Sequence, residues 1–264
     1  MRVNTSEPLA VMKTSAMQWA RMQLHTKSCL NDSILGQLNH FFRPEPMHHT
    51  PVFKVLSSNM DGDFCLGGDL TLLAELVERR DKSGLQSYAT SYLELVNRLL
   101  CGSKENFTSV AVVQGRAFGA GMLVALAADI VVVESQAEFM NPSILFDDYP
   151  CAVLANKLHN SASRDVIMEV LCSGKRYSAQ ALFELGMIDV VCEKGDAERQ
   201  VYDVVARATH SHYGRIALQN YRKNSNGLTH KTTKILVDKW VSNISGGDAR
   251  FVQYLRRLGR LQSE

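Results

Sequence analysis

Several features that would mark a special class of protein are missing from this chain. Its six cysteines (Cys29, Cys65, Cys101, Cys151, Cys172 and Cys192) contain no C-x-x-C pair, so neither a zinc site nor a disulfide framework is indicated and free thiols are expected. No window is apolar for the length needed to span a bilayer, and no basic leader followed by an apolar run opens the chain. A cytoplasmic protein with no membrane partner is the expectation. Charge of one sign is also lacking: the net charge is +2 and the basic residues are dispersed apart from Arg256-Arg257, which gives no electrostatic case for nucleic acid. Internal repeats and low-complexity segments are absent. The cluster Met47–His49 lacks metal-ligand spacing and reads as loop, so no metal is expected. With 264 residues, 45% hydrophobic and 21% charged, the chain has enough apolar material for a sizeable core.

Three short apolar runs, Pro51–Ser58, Thr108–Gly115 and Ala128–Ser135, end in turn residues and suit strands buried on both faces of a mostly parallel sheet. Helical patterns lie between them. Leu70, Leu73, Leu76 and Val77 form one stripe, and Tyr88, Tyr92, Leu95 and Leu99 form another. The small apolar segment Ala120–Asp129 fits a helix packed deep inside. Strands alternating with helices argue for an α/β fold with right-handed crossovers. From about Gly195 the strand signals stop and successive amphipathic helices follow. The expected organisation is an α/β core over residues 1–195 and a helical region over residues 196–264.

Two glycine turns, "DFCLGGDL" (Asp63–Leu70) and "QGRAFGAG" (Gln114–Gly121), each follow a strand and open a helix. Amides at a helix start have no intrahelical acceptor and carry the positive end of the helix dipole, so two such ends converging would bind a carbonyl oxygen as it becomes an oxyanion. Strand–glycine–helix turns also serve plain packing, and either turn alone carries both readings.

As a pair, with "CSGKRYSAQALFELGMIDVVCE" (Cys172–Glu193) as a third block in the same order, these segments resemble the crotonase (enoyl-CoA hydratase/isomerase) superfamily over roughly Pro51 to Val191. The resemblance is greatest to the branch that makes diffusible signal factor, whose counterparts match "LGGDL", "SILFDDYP" and the "YA…YLELV" helix. It implies a crotonase-like spiral of ββα units with a C-terminal helical region, and an acyl-CoA or acyl-carrier-protein substrate with no separate cofactor. A homotrimer or hexamer with the C-terminal helices at the interface is implied as well. Carried over by position, Gly68 and Ala120 would donate the two oxyanion N–H groups, with Leu66, Gly67 and Gly119 lining the thioester site.

The match departs from the family at the two catalytic glutamates, whose places are taken by Leu123 and Ser143. Neither leucine nor serine can activate water and shuttle an α-proton as a glutamate pair does, which disfavours ordinary hydration. Asp147, Asp148 and Cys151 remain in the loop that follows. Asp148 is a candidate acid/base, and Asp147 is either that or a loop cap making an Asx turn. Cys151 stands where the dehalogenase branch of the family has an aspartate nucleophile; it is either a nucleophile or a small apolar filler. Ser143 lacks a basic partner, His159 reads as a surface residue, Glu138 as solvated, and Asp69 as the cap of the helix after the first turn. Two functions remain open on this reading: an acyl-thioester enzyme with non-standard catalytic groups, or a catalytically silent relative that binds thioesters or supports an active partner. A purely structural assembly factor, with no thioester binding, is the weaker third.

Overall fold

The parallel strands at Thr108–Val113 and Ile130–Glu134 are rich in valine and isoleucine, whose branched side chains suit a sheet covered on both faces. A computed structural model of the chain describes residues 8–14, 17–23, 27–44, 52–59, 62–100, 107–142, 154, 157–158, 162–210, 214 and 229–263. The strands are β1 (Leu9–Lys13), β2 (Met17–Met22), β3 (Phe53–Ser58), β4 (Asp63–Cys65), β5 (Thr108–Val113), β6 (Arg116–Phe118), β7 (Ile130–Glu134), β8 (Glu138–Met140), β9 (Arg176–Ser178) and β10 (Val190–Cys192). The helices are α1 (Asp32–Phe41), α2 (Leu70–Glu78), α3 (Lys82–Leu100), α4 (Ala120–Ala127), α5 (Arg164–Cys172), α6 (Ala179–Glu184), α7 (Ala197–His210), α8 (His230–Ile244) and α9 (Ala249–Leu261).

Among the described residues, two sheets organise the fold. The larger runs β1-β2-β3-β5-β7-β10 and the smaller β4-β6-β8-β9. All pairs from β2 to β10 in the large sheet are parallel, and β1 is an antiparallel edge on β2. Every residue of β3, β5 and β7 is buried, as the apolar runs require. The first two strands and the small sheet were not legible from apolar runs. Gln18 and Arg21 interrupt β2, and β4, β6, β8 and β9 are three residues each.

Helices are interspersed among the strands, which is the mixed α/β architecture expected, with parallel sheets and a helical C-terminal region. That last region serves two faces. Ala197, Val201, Val204 and Ala208 of α7 pack with Trp19, Phe53, Val110 and Val132 on one side of the large sheet. Val237, Trp240, Ile244, Val252 and Leu255 of α8 and α9 join the main core with α2, α3 and α4. Lys54 is buried within β3, and its Nζ donates to the carbonyls of Phe41 and Arg43 at 2.7 and 2.8 Å. A cation thus satisfies carbonyls that the end of α1 leaves unpaired. None of the described helices is long and apolar enough to cross a membrane.

Glycine sets how closely the two sheets' connections approach. A side-chain carbon at Gly121 would lie 2.2 Å from the backbone oxygen of Cys65, which seats α4 directly on β4. Gly36, on the exposed face of α1, has nothing within 4 Å of that position. Gly121→Ala should therefore destabilise the protein by about 1–3 kcal/mol through overpacking, whereas Gly36→Ala should stabilise it by about 0.5–1 kcal/mol. Urea unfolding of both variants checks the contrast; equal midpoints would remove the close approach of α4 as a determinant.

Candidate active site

Strands β4 and β6 lie side by side and parallel, with Asp63 opposite Arg116 and Cys65 opposite Ala117. Arg116 secures the pair through Nε and Nη2 to the Asp63 carboxylate at 2.6 and 3.1 Å. Each strand runs into a glycine turn and then a helix, α2 or α4, so two helix N-termini leave adjacent strand ends together. The turns touch. A side-chain carbon on Gly67 would sit 3.3 Å from the Phe118 carbonyl oxygen and 3.6 Å from the Ala120 nitrogen. Gly67 has φ +109° and Gly119 has φ +50°, conformations that require glycine.

The amides at these helix starts have separate fates. Asp69 caps α2, its Oδ1 accepting from the Thr71 and Leu72 N–H groups at 3.1 Å each, as its position suggested. The Asp69 N–H donates to the Tyr88 hydroxyl at 2.9 Å. Gly119 donates to the Met140 carbonyl at 2.8 Å. Among the described residues no acceptor meets the N–H of Gly68 or of Ala120.

Both amides border one cavity of about 110 Å³. Leu66, Gly67, Gly68, Gly119, Ala120 and Pro142 form its end at the turns. Its walls are apolar: Leu70 and Leu73 from α2, Tyr88, Ala89, Tyr92 and Leu93 from α3, Leu236, Val237, Trp240 and Ile244 from α8, and Leu255 and Leu258 from α9. No carboxylate, histidine or cation is among the described residues that line it. Five of the predicted residues, Leu66, Gly67, Gly68, Gly119 and Ala120, are therefore brought to one place. Leu123 is fully buried in the main core and is not among the lining residues. Ser143, Asp147, Asp148 and Cys151 lie outside the described residues, as do His159 and Met47–His49. Glu138 is half-exposed and pairs with Arg176 at 3.5 Å.

Burial raises the thiols and the phenol close to the turns. Cys65 is pushed up to about 12, chiefly by loss of solvent. Cys29 and the Tyr88 phenol are raised for the same reason, with the Asp69 charge adding to both. Tyr88 donates its hydroxyl hydrogen to the Leu30 carbonyl at 2.7 Å while accepting from Asp69. It is a structural strut behind the turn, and an acid that does not ionise near neutral pH cannot serve as a general base. Among the described residues no group of three or more His, Cys, Asp or Glu is placed to hold a metal ion.

Residues 30–237 match the family model described as enoyl-CoA hydratase/isomerase. The chain belongs to that family. Its sequence is 27% identical over 177 residues to the mitochondrial enoyl-CoA hydratase of Pongo abelii, covering 65% of this chain and 57% of the relative. To the probable mitochondrial enoyl-CoA hydratase 2 of Arabidopsis thaliana it is 24% identical over 181 residues, covering 68% and 57%. The chain thus spans a little over half the length of these relatives. In fold it is similar to the enoyl-CoA hydratase of Bacillus halodurans, with a TM-score of 0.76 at 16% identity, over 95% of this chain and 100% of that one.

Sequence reasoning missed the roof of this cavity and two of its braces. Trp240 and Leu236 belong to an amphipathic pattern that shows an apolar stripe without saying what it covers. Tyr88 read only as a core stripe residue, and Gln262, whose side chain also meets the first turn, carried no signal at all. The raised thiols give a simple check. Because the thiolate is the nucleophile, Cys65 and Cys29 should resist iodoacetamide at pH 8 in the folded protein and react fully in denaturant, read by mass spectrometry. Fast labelling of Cys65 in the native state would contradict its burial.

Proposed function

We propose that the chain is an acyl-thioester enzyme in which the Gly68 and Ala120 N–H groups hold the thioester oxygen and stabilise an enolate. The carrying observation is that two helix-start amides without a described acceptor border one end of an apolar cavity. The carbonyl would sit between the turns, the carrier arm along Leu66, Gly67 and Gly119, and an aliphatic acyl chain under Leu236, Trp240 and Leu255. The carrier is CoA or the phosphopantetheine of an acyl carrier protein, and no other cofactor is invoked.

Charge develops on the thioester oxygen when an enolate forms, so donors already aimed there act most strongly in the transition state. Each such donor contributes about 3 kcal/mol in enzymes where it has been removed. Decarboxylation of a malonyl-type thioester fits this site well. The electron pair of the breaking C–C bond flows into the thioester as carbon dioxide leaves, and no base is consumed. Isomerisation, dehydration or thioester hydrolysis would need a further group, for which Asp148, Asp147 and Cys151 are the candidates. Ser143, the position of one missing glutamate, follows the cavity-lining Pro142 directly in sequence. Resemblance to the signal-factor branch favours fatty-acid or polyketide-type metabolism.

A second reading is favoured by one observation. The described cavity lining holds no carboxylate, and Leu123 is packed into the core. A thioester-binding protein without turnover, or one that supports an active partner, would have this character.

Three measurements separate these readings. Thermal stabilisation by saturated, enoyl, hydroxyacyl and malonyl thioesters, run beside product analysis, should show stabilisation together with turnover of at least one; stabilisation with no product from any would establish the binding reading. Ala120 is the first residue of α4, a position that accommodates proline. Ala120→Pro thus removes one donor from an intact helix, and turnover should fall roughly 100- to 1000-fold; full activity would remove Ala120 from the site. Asp148→Asn should lower kcat by about 100-fold or more with little change in KM if Asp148 is the acid/base, and an unchanged rate would reassign that role.

A further inference from the structure

We infer that Gln262 is a positioning residue of this site: its carboxamide, brought in at the end of α9, fixes the peptide that follows Gly68 and so the direction of the Gly68 N–H. The inference rests on the oxyanion reading above. Gln262 is only 4% exposed although it follows a surface helix. Its Nε2 donates to the Gly68 carbonyl at 2.8 Å and the Leu66 carbonyl at 3.2 Å, and its Oε1 accepts from the Leu70 N–H at 3.3 Å. Its own carbonyl accepts from the Ser28 N–H at 2.9 Å, and the Ser28 carbonyl accepts from Leu66 at 2.6 Å. One side chain therefore satisfies three backbone groups of the turn 66–70.

The effect on Gly68 follows from peptide geometry. The Gly67 carbonyl accepts from the Leu30 N–H at 2.8 Å. In a trans peptide the N–H points opposite to the carbonyl, so that bond turns the Gly68 N–H away from Leu30. The next peptide is pinned at both ends, its carbonyl by Gln262 and its N–H, from Asp69, by Tyr88. Gly68 has no side chain to restrict its own φ and ψ, and a side-chain carbon there would lie 2.8 Å from the Tyr88 oxygen. The two pinned peptides do what sterics cannot. An amide is the group for the place: two carbonyls need a donor and one N–H needs an acceptor.

The readout is the absorbance of bound para-dimethylaminocinnamoyl-CoA, whose maximum moves to longer wavelength when donors draw charge onto its carbonyl oxygen. With the wild type a red shift is expected. Gln262→Met, close in length to glutamine, should bind the probe within about threefold of wild type but lose most of the shift, with kcat lowered roughly 10- to 100-fold and KM nearly unchanged. Gln262→Glu, whose carboxylate would face two carbonyls, should lose it as well, and it serves if the methionine variant does not fold. Leu261→Ala, which removes an exposed neighbour, should keep the shift. A full red shift in both Gln262 variants overturns the positioning role and leaves the oxyanion reading standing. Bound probe with no shift in the wild type overturns the oxyanion reading. Hydrogen exchange of residues 66–70 then decides Gln262 by itself: faster exchange in Gln262→Met supports the clamp, and unchanged exchange overturns it.

Discussion

Two helices can aim their first amides at one point only if the strands leading into them lie side by side, and the parallel pairing of β4 with β6 supplies that condition. The pairing needs two close approaches. Side-chain carbons at Gly115 and Gly121 would lie 2.2 Å from the carbonyl oxygens of Gly62 and Cys65, so any larger residue forces the strands or α4 apart. The buried Asp63 carboxylate, held by Arg116, ties the starts of the two strands. Everything at the cavity's polar end follows from these contacts. The turns touch, Gly67 and Gly119 take positive φ, and Gly68 and Ala120 line the cavity.

The rest of the cavity is defined by dryness. Its walls come from leucines, valine and aromatics on α2, α3, α8 and α9, and the nearby thiols and phenol stay protonated because burial disfavours their charged forms. A low local dielectric strengthens any hydrogen bond to a developing charge, which is the setting in which two backbone amides count for most. The same dryness makes a charged base costly unless it is paired. Enolate chemistry that draws its electrons from the substrate suits such walls better than chemistry that begins with proton abstraction.

Much of this was legible in residues, and the limits have physical causes. The core strands announced themselves because β3, β5 and β7 are buried on both faces and therefore continuously apolar. The turn glycines were legible because positive φ at Gly67 and Gly119 restricts the residue choice. The N-terminal hairpin was not, since β1 is an edge strand with Val11 and Met12 exposed, and its pattern lacks a clean apolar face. The small sheet escaped because three-residue strands are too short to carry a period. Leu123 was placed by resemblance at a catalytic position, yet its side chain joins the core.

Gln262 marks the hardest class of residue to read in advance. Its neighbours in sequence, Leu261 and Ser263, give no motif, and its partners lie more than 190 positions away. What makes it intelligible is the demand at the other end. A glycine turn between strand and helix has carbonyls and amides that secondary structure does not satisfy, and buried backbone groups must find partners. Leu30, Ser28 and Tyr88 meet part of the demand, and a carboxamide meets the rest, its nitrogen donating to the Gly68 and Leu66 carbonyls while its oxygen accepts from the Leu70 amide. Because α9 also contributes Leu255 to the cavity wall, the element that closes the apolar end also braces the polar one. A change in the seating of α9 would therefore alter the apolar wall and the turn geometry together.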